Sequence, residues 1–435
     1  MGGPLGPFVL LGTLFGLLIL GVPVAYALGI AALVAALWSG LPLEVIFLKV
    51  SDGVDEFTLL AIPFFVFAGV LMAEGGMARR LVDFANLFVG FLRGGLAMVN
   101  ILSSMFFGGI SGSAVADTSS IGSIMIPMMR KQGYDDHFSV NVTICSATQG
   151  IIIPPSHNAI IYAWATGGTV SIIQLFMAGV IPGIMIGLAL MILAGIVSAQ
   201  RGYPKGEPVT LREAGRITWE ALAGLMTVVI IVGGIIFGVF TPTESAAVAV
   251  VWAFFVTMFI YRDLSWKRLP HVLVSAVRTV AMVMIIIGFA ASFGYMLTLM
   301  QIPAKATQFL LSLSDNKYVL LFLMNILLLI LGTFMDMAPL ILICTPILLP
   351  VAEMIGVDPV HFGIIMMLNL GIGLVTPPVG TVLFVGCAIG KIPIERAARH
   401  LWPFWLVMIV VLMLVTYVPA FSLWLPSLRF PHIQY

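Results

Sequence analysis

Charge is what this chain lacks. Of its 435 residues only 9% are charged and 61% are hydrophobic, whereas a soluble domain carries roughly 25% charge. So few charges cannot cover a water-facing surface, which excludes a soluble globular protein, and the mean hydropathy of +1.14 indicates a polytopic membrane protein. Net charge is +1 and there is no Lys/Arg-rich run, so nothing supports a nucleic-acid partner. The three cysteines, Cys145, Cys344 and Cys387, lie in apolar segments without metal-ligand spacing; they read as packing groups, not a disulfide framework. Long polar stretches are missing too, and the longest, Gln200–Thr218, is too short to fold alone. Met1–Leu20 has no basic flank and reads as a first span, not a cleaved signal. Also absent are a Gly-x-Ser-x-Gly elbow, a His-Glu-x-x-His pair and a Gly-rich phosphate loop followed by Lys.

What is present is a doubled Pro-Pro. Gly150-Ile151-Ile152-Ile153-Pro154-Pro155 recurs as Gly373-Leu374-Val375-Thr376-Pro377-Pro378, each deep in an apolar stretch. A membrane helix is broken only where its freed backbone groups are buried in protein or line a cavity. Pro154 and Pro377 are 223 residues apart (377 minus 154), and Pro127/Pro350, Gly150/Gly373 and Gly109/Gly332 share that offset. Several matches in one order make an internal repeat, 1–218 and 219–435.

Basic residues suggest that the repeat is inverted. Loop Ser39–Glu56 carries only Lys49, but its counterpart Arg262–Arg278 carries Arg262, Lys267, Arg268 and Arg278. Gln200–Thr218 carries Arg201, Lys205, Arg212 and Arg216, whereas the C-terminal tail carries only Arg429. Such a flip is what the positive-inside rule gives for an inverted-topology repeat, with both termini outside. The fold class expected is all-α and polytopic, with broken helices over about 138–166 and 362–389. Segment 94–129 has basic residues at both edges and Gly108–Ser113 in its middle, so it reads as a re-entrant hairpin, although two short spans satisfy the same charges. Segment 318–350, turning at Gly332-Thr333, is its partner. The last span is expected over Leu401–Leu425, and Arg79, Arg80, Leu81, Phe84 and Leu87 suggest an amphipathic interfacial helix.

A charged or strongly polar side chain in mid-membrane costs at least ~2.5–3.5 kcal/mol on insertion scales and needs a reason. Polar residues gather at the hairpin tips (Ser111, Ser113, Asp117; Thr333, Asp336) and the breaks (Ser156, His157, Asn158; Asn369, Thr376, Thr381). Carbonyls and hydroxyls in this number suit a hard cation such as Na⁺, and restarting helices aim positive ends at the gap, favouring an anion. Bland readings stand beside these. Ser and Thr often bond their own backbone, a buried Asp often caps or pairs, His157 reads as a packing residue without a second His or Cys nearby, and Glu244 fits a helix start. A channel, a Ser111–His157 hydrolase or an Asp117–Asp336 aspartyl pair are the other readings.

The stretch Phe106–Asp117, with Ile153-Pro154-Pro155-Ser156, Gly238–Ala246 and Val375–Gly380, resembles the large membrane (DctM-like) subunit of tripartite ATP-independent periplasmic (TRAP) transporters. The resemblance covers essentially the whole chain. It implies an elevator-type secondary transporter with a scaffold and a mobile transport domain holding both hairpins and both broken helices. It also implies a separate small four-helix membrane subunit, a periplasmic substrate-binding protein, an organic acid substrate and the bacterial inner membrane. By similarity, one Na⁺ site draws on Ser111, Gly112, Ser113, Gly150 and Pro154, and a second on Gly332, Thr333, Asp336, Gly373 and Thr376. Substrate then meets Ser113, Asp117, Ser156, Asn158 and Thr381. H⁺ coupling through Asp117 or Asp336 is the alternative to Na⁺.

Overall fold

The computed structural model describes residues 5–430, so the first four residues of the expected opening span lie outside the described residues. The chain is helical, with no strand among those residues and one isolated bridge, Arg93 with Lys205. Among the described residues six helices are long and apolar enough to cross a membrane: Phe57–Glu74, Ile172–Arg201, Leu211–Ile236, Pro242–Ile260, Leu269–Leu299 and Met337–Met354. A seventh is added if Trp402–Tyr417 and Ala420–Ser427, bent by 56°, are one span. That bend corrects the continuous Leu401–Leu425 span, because Pro419 supplies no N–H to carry the helix on.

Two other expectations change. Ser39–Glu56 is not a plain loop but holds the helix Leu43–Val54, entered through Pro42. It packs on Leu269–Leu299, a helix that takes in most of the expected loop Arg262–Arg278. A Cβ on Gly53 would lie 2.3 Å from that of Ala291, so the two helices touch where only glycine fits. Glu244 caps as expected: the Thr241 N–H donates to its carboxylate at 2.8 Å, while the Glu244 N–H donates to the Thr241 hydroxyl at 3.3 Å.

The exterior is apolar like the core, and a minority of polar side chains is buried within. Phe8, Ile19, Leu20, Trp219, Val251 and Val277 are among the most exposed side chains, while Asn100, Asp117, Asn141, Gln149 and Asn369 have no accessible surface. An apolar exterior with its polar groups turned inward suits a bilayer, where the costly groups must face inward.

The polar interior is built from two pairs of elements. The first hairpin is Gly95–Ser111 and Ala114–Lys131, and the first broken helix is Asp136–Ala147, a tight turn over Thr148–Ile151, then His157–Ala165. The second hairpin is Lys317–Gly332 and Met337–Met354, with the broken helix Pro359–Gly373 and Thr381–Gly390.

The amphipathic helix Met77–Val89 buries Met77, Ala78, Leu81, Val82 and Ala85. It leads into the first hairpin through Gly90–Gly94, and the chain leaving Ile172–Arg201 lies across this linker. The Gly94 N–H donates to the Pro204 carbonyl at 3.1 Å, beside the Arg93–Lys205 bridge. Gly206 is forced by closeness, since a Cβ there would lie 2.2 Å from the Gly90 carbonyl oxygen. Next to this crossing, Tyr203 donates to the Asp135 carboxylate at 2.7 Å, Arg201 pairs with the same carboxylate, and the His137 and His400 ring centres lie 4.0 Å apart with the rings tilted by 31°.

Candidate functional site

Both breaks come from the prolines. Without an N–H, Pro154 and Pro155 cannot continue the ladder of the preceding turn, so the helix tightens, opens and restarts at His157. Pro377 and Pro378 end Pro359–Gly373 in the same way, and the chain restarts at Thr381 after Gly380, whose φ is +55°. Both Pro-Pro peptide bonds are cis.

A hairpin tip meets each break through glycine. A Cβ on Gly108 would lie 2.2 Å from the Gly150 Cα, and one on Gly373 would lie 2.6 Å from the Gly332 Cα. The structural counterpart of Gly332 is therefore Gly108, one residue before the Gly109 that the offset pairs with it. Gly109 packs instead against the Pro154 carbonyl, with 3.2 Å from its would-be Cβ to that oxygen. Gly112 ends the first arm at φ +60°, and its would-be Cβ lies 3.0 Å from the Pro155 carbonyl oxygen. Backbone oxygens freed by the first break thus face the first tip directly.

The structure brings Ser111, Gly112, Ser113, Gly150 and Pro154 into this one junction, with Ser111 buried and Ser113 capping the second arm by accepting from the Ala116 N–H at 3.4 Å. Asp117, one turn further, is fully buried. Neither of its oxygens has a hydrogen-bond partner among the described residues. Ser156 is placed at the break, but its hydroxyl donates to the Ile151 carbonyl, so only its backbone faces outward from that bond. Asn158 lies buried in the first turn after the break.

Gly332, Thr333, Gly373 and Thr376 gather at the second junction. The Thr333 carbonyl accepts from the Val379 and Gly380 N–H groups at 3.3 and 3.4 Å, tying tip to break. Its hydroxyl is committed to the Ile330 carbonyl at 2.8 Å. The Thr376 hydroxyl donates to the Ile372 carbonyl at 2.7 Å and accepts from the Trp405 indole N–H at 2.9 Å. Asp336 opens the second arm as an exposed residue with the Thr381 hydroxyl beside it.

Asn100, Ser104, Thr143 and Asn325, which the sequence did not single out, help join each hairpin to its broken helix. The Asn100 amide donates to the Thr143 hydroxyl at 2.7 Å and the Ser146 hydroxyl to Ser104 at 3.2 Å. In the second pair, the Asn369 amide donates to the Asn325 side-chain oxygen at 2.7 Å, and Asn325 donates to Thr416 at 3.2 Å. His361 extends this network to both sides of the bend, contacting the Thr416 carbonyl and the Ser422 hydroxyl. The available signal was a single amide in each otherwise apolar first arm, Asn100 and Asn325.

Over residues 11–421 the chain matches the family model described as tripartite ATP-independent periplasmic transporter, DctM component. The chain belongs to the DctM family. It is 44% identical to the C4-dicarboxylate TRAP transporter large permease protein DctM of Pseudomonas aeruginosa, covering 87% of this chain and 88% of that one. It is 39% identical to the sialic acid TRAP transporter large permease protein SiaM of Vibrio cholerae, covering 96% and 99% respectively. In fold it is similar to the YdaH transporter of Alcanivorax borkumensis, with a TM-score of 0.64 at 12% identity over 90% of this chain and 89% of that one. This DctM-family chain is a multi-pass TRAP large permease. Its relatives are transport proteins, so the hydrolase and aspartyl-enzyme readings are set aside.

Proposed function

We propose that the chain is the transmembrane subunit of a Na⁺-coupled, binding-protein-dependent secondary transporter that imports an organic acid anion such as a C4-dicarboxylate or a sugar acid. The observation that carries this reading is the pair of glycine contacts, Gly108 on Gly150 and Gly332 on Gly373, which set a hairpin tip against each proline break. Oxygen atoms converge there without a basic side chain from Lys or Arg, which is the donor set a hard monovalent cation takes. The first Na⁺ site uses Ser111, Gly112 and Ser113 with carbonyls of Gly150 to Pro154. The second uses Gly332, Thr333, Asp336, Gly373 and Thr376.

Residues 1–218 and 219–435 act as inverted repeats. Both hairpins and both broken helices form a transport domain that moves against a scaffold by an elevator-type step. The amide and hydroxyl bonds joining each hairpin to its broken helix support their moving together. Substrate binds between the tips, near Ser113, Asp117, Asn158 and Thr381, with Ser156 contributing backbone. A small four-helix membrane subunit braces the scaffold, a periplasmic binding protein delivers the acid, and the assembly sits in the bacterial inner membrane with its basic loops in the cytoplasm.

Uptake into proteoliposomes containing the complete complex, with binding protein outside, tests the coupling. Uptake is expected to stop when Na⁺ is replaced by K⁺ and to survive a proton ionophore. Asp117 supports a second reading, since a buried carboxylate without a partner is a place to carry a proton. Uptake that survives Na⁺ removal and fails with the ionophore would favour it.

A further inference from the structure

We infer that His157 is a specificity-determining residue, a ring that hydrogen-bonds an anionic oxygen of the substrate from the first break. The inference rests on the transport reading above and concerns a residue that reading leaves unused. His157 is the first residue of the restarting helix His157–Ala165. A Cβ on Gly112 would lie 3.4 Å from both its backbone nitrogen and its Nδ1, so the ring is held directly against the first hairpin tip. Neither ring nitrogen has a hydrogen-bond partner among the described residues, and the side chain is only partly buried. A ring in such a place that served packing alone would be expected to satisfy its polar atoms within the fold, as His361 does on Ser422 and Thr416.

The neighbours of His157 are partly committed. Ser156 gives its hydroxyl proton to the Ile151 carbonyl, whereas the Ser113 oxygen accepts from the Ala116 N–H, so of these two hydroxyls only that of Ser113 keeps a donor to set beside the ring. Among the described residues of the two hairpins and two broken helices, His157 is the only Lys, Arg or His next to a break; Arg130, Lys131, His137, Lys317 and His361 lie at the far ends of their helices. At the offset that pairs the prolines, its counterpart is Gly380, which has no side chain. One break therefore presents an imidazole and the other presents bare backbone. Two otherwise matched ion junctions flank a substrate that is gripped asymmetrically, from the first side. The ligand class is an organic anion whose carboxylate or sulfonate oxygen accepts from the ring N–H.

The test uses the complete complex in proteoliposomes with radiolabelled succinate and N-acetylneuraminate as probes. His157→Ala is expected to raise KM for a carried anion about tenfold or more, the factor for losing a hydrogen bond to a charged group. The Na⁺ concentration for half-maximal uptake should stay unchanged, and His157→Gln, which keeps a donor, should recover part of the loss. Unchanged KM and unchanged anion preference in His157→Ala, at wild-type membrane levels, overturn the inference. Wild-type uptake that ignores Na⁺ overturns the coupling reading instead, so the two failures are separate. If neither probe is carried, diethyl pyrocarbonate labelling of the purified chain decides: carbethoxylation at His157, read by peptide mass spectrometry, supports an open unpartnered ring, and its absence overturns it.

Discussion

Adding one methyl group to Gly108 should cripple the first tip–break junction, where the proposed Na⁺ site lies. The new Cβ would sit 2.2 Å from the Gly150 Cα and 2.9 Å from its nitrogen. Both are backbone atoms, so no side-chain rotation relieves the clash. Carbon atoms rest at about 3.5–4.0 Å, so tip and break must part by roughly 1 Å or more. Distances from a hard cation to its oxygens vary by only about 0.3 Å within a site, and a gap of that size removes one wall of it. Overpacking of this kind also costs about 1–3 kcal/mol of stability. The four junction glycines should follow the depth of their clashes: Gly108→Ala worst, then Gly150→Ala at 2.5 Å and Gly373→Ala at 2.6 Å, with Gly332→Ala at 3.2 Å the mildest. The assay is Na⁺-dependent uptake by the complete complex, together with thermal unfolding of the purified variants. Normal Na⁺ dependence in Gly108→Ala would refute the reasoning, as would damage from Gly332→Ala equal to that from Gly108→Ala.

Trp405→Phe removes the indole donor to the Thr376 hydroxyl; it should weaken apparent Na⁺ affinity several-fold while the protein still folds, measured as the Na⁺ concentration for half-maximal uptake. Asn369→Leu leaves the buried Asn325 oxygen without its donor and should cost about 1–3 kcal/mol, seen as a lower unfolding midpoint. Near the chain crossing, burial pushes the Asp135 carboxyl up, but the Tyr203 hydroxyl and Arg201 outweigh it and hold it below the usual carboxylate range. Its stabilisation is present above that range and is lost as pH falls through the lowered value. His137 is held below the usual imidazole value by burial and then by His400, so its contribution is lost as pH drops below that usual value. Unfolding midpoints measured against pH should therefore decline in two stages, the first missing in His137→Gln and the second in Asp135→Asn.

Proline and glycine made the architecture legible. Pro154-Pro155 and Pro377-Pro378 have local effects that nothing distant overrides, and the breaks and hairpins fall where these residues put them. The hidden parts depend on partners far away in the chain. Whether Gly108 or Gly109 meets the break depends on the approach of two helices, which a constant offset cannot encode. Ser156 looked free, yet its hydroxyl turns back onto Ile151 once the chain bends at the prolines. Asn325 and Asn369 are each a lone amide in an apolar run, and only folding shows that they answer one another. The helix Leu43–Val54 was concealed by Lys49 and Asp52, which pair on its exposed face at 2.9 Å and gave a helical stretch the look of a loop.

The crossing of the Gly90–Gly94 linker by residues 203–206 has a consequence of its own. The stretch from Gly94 to Pro204, holding the first hairpin, the first broken helix and the long helix Ile172–Arg201, begins and ends at the same hydrogen bond. Its two tethers leave from a single point. A load hung from two distant points must stretch one rope whenever it swings, whereas a load hung from one point can swing or slide with both ropes at constant length. The Gly94–Pro204 stretch is tied in the second way.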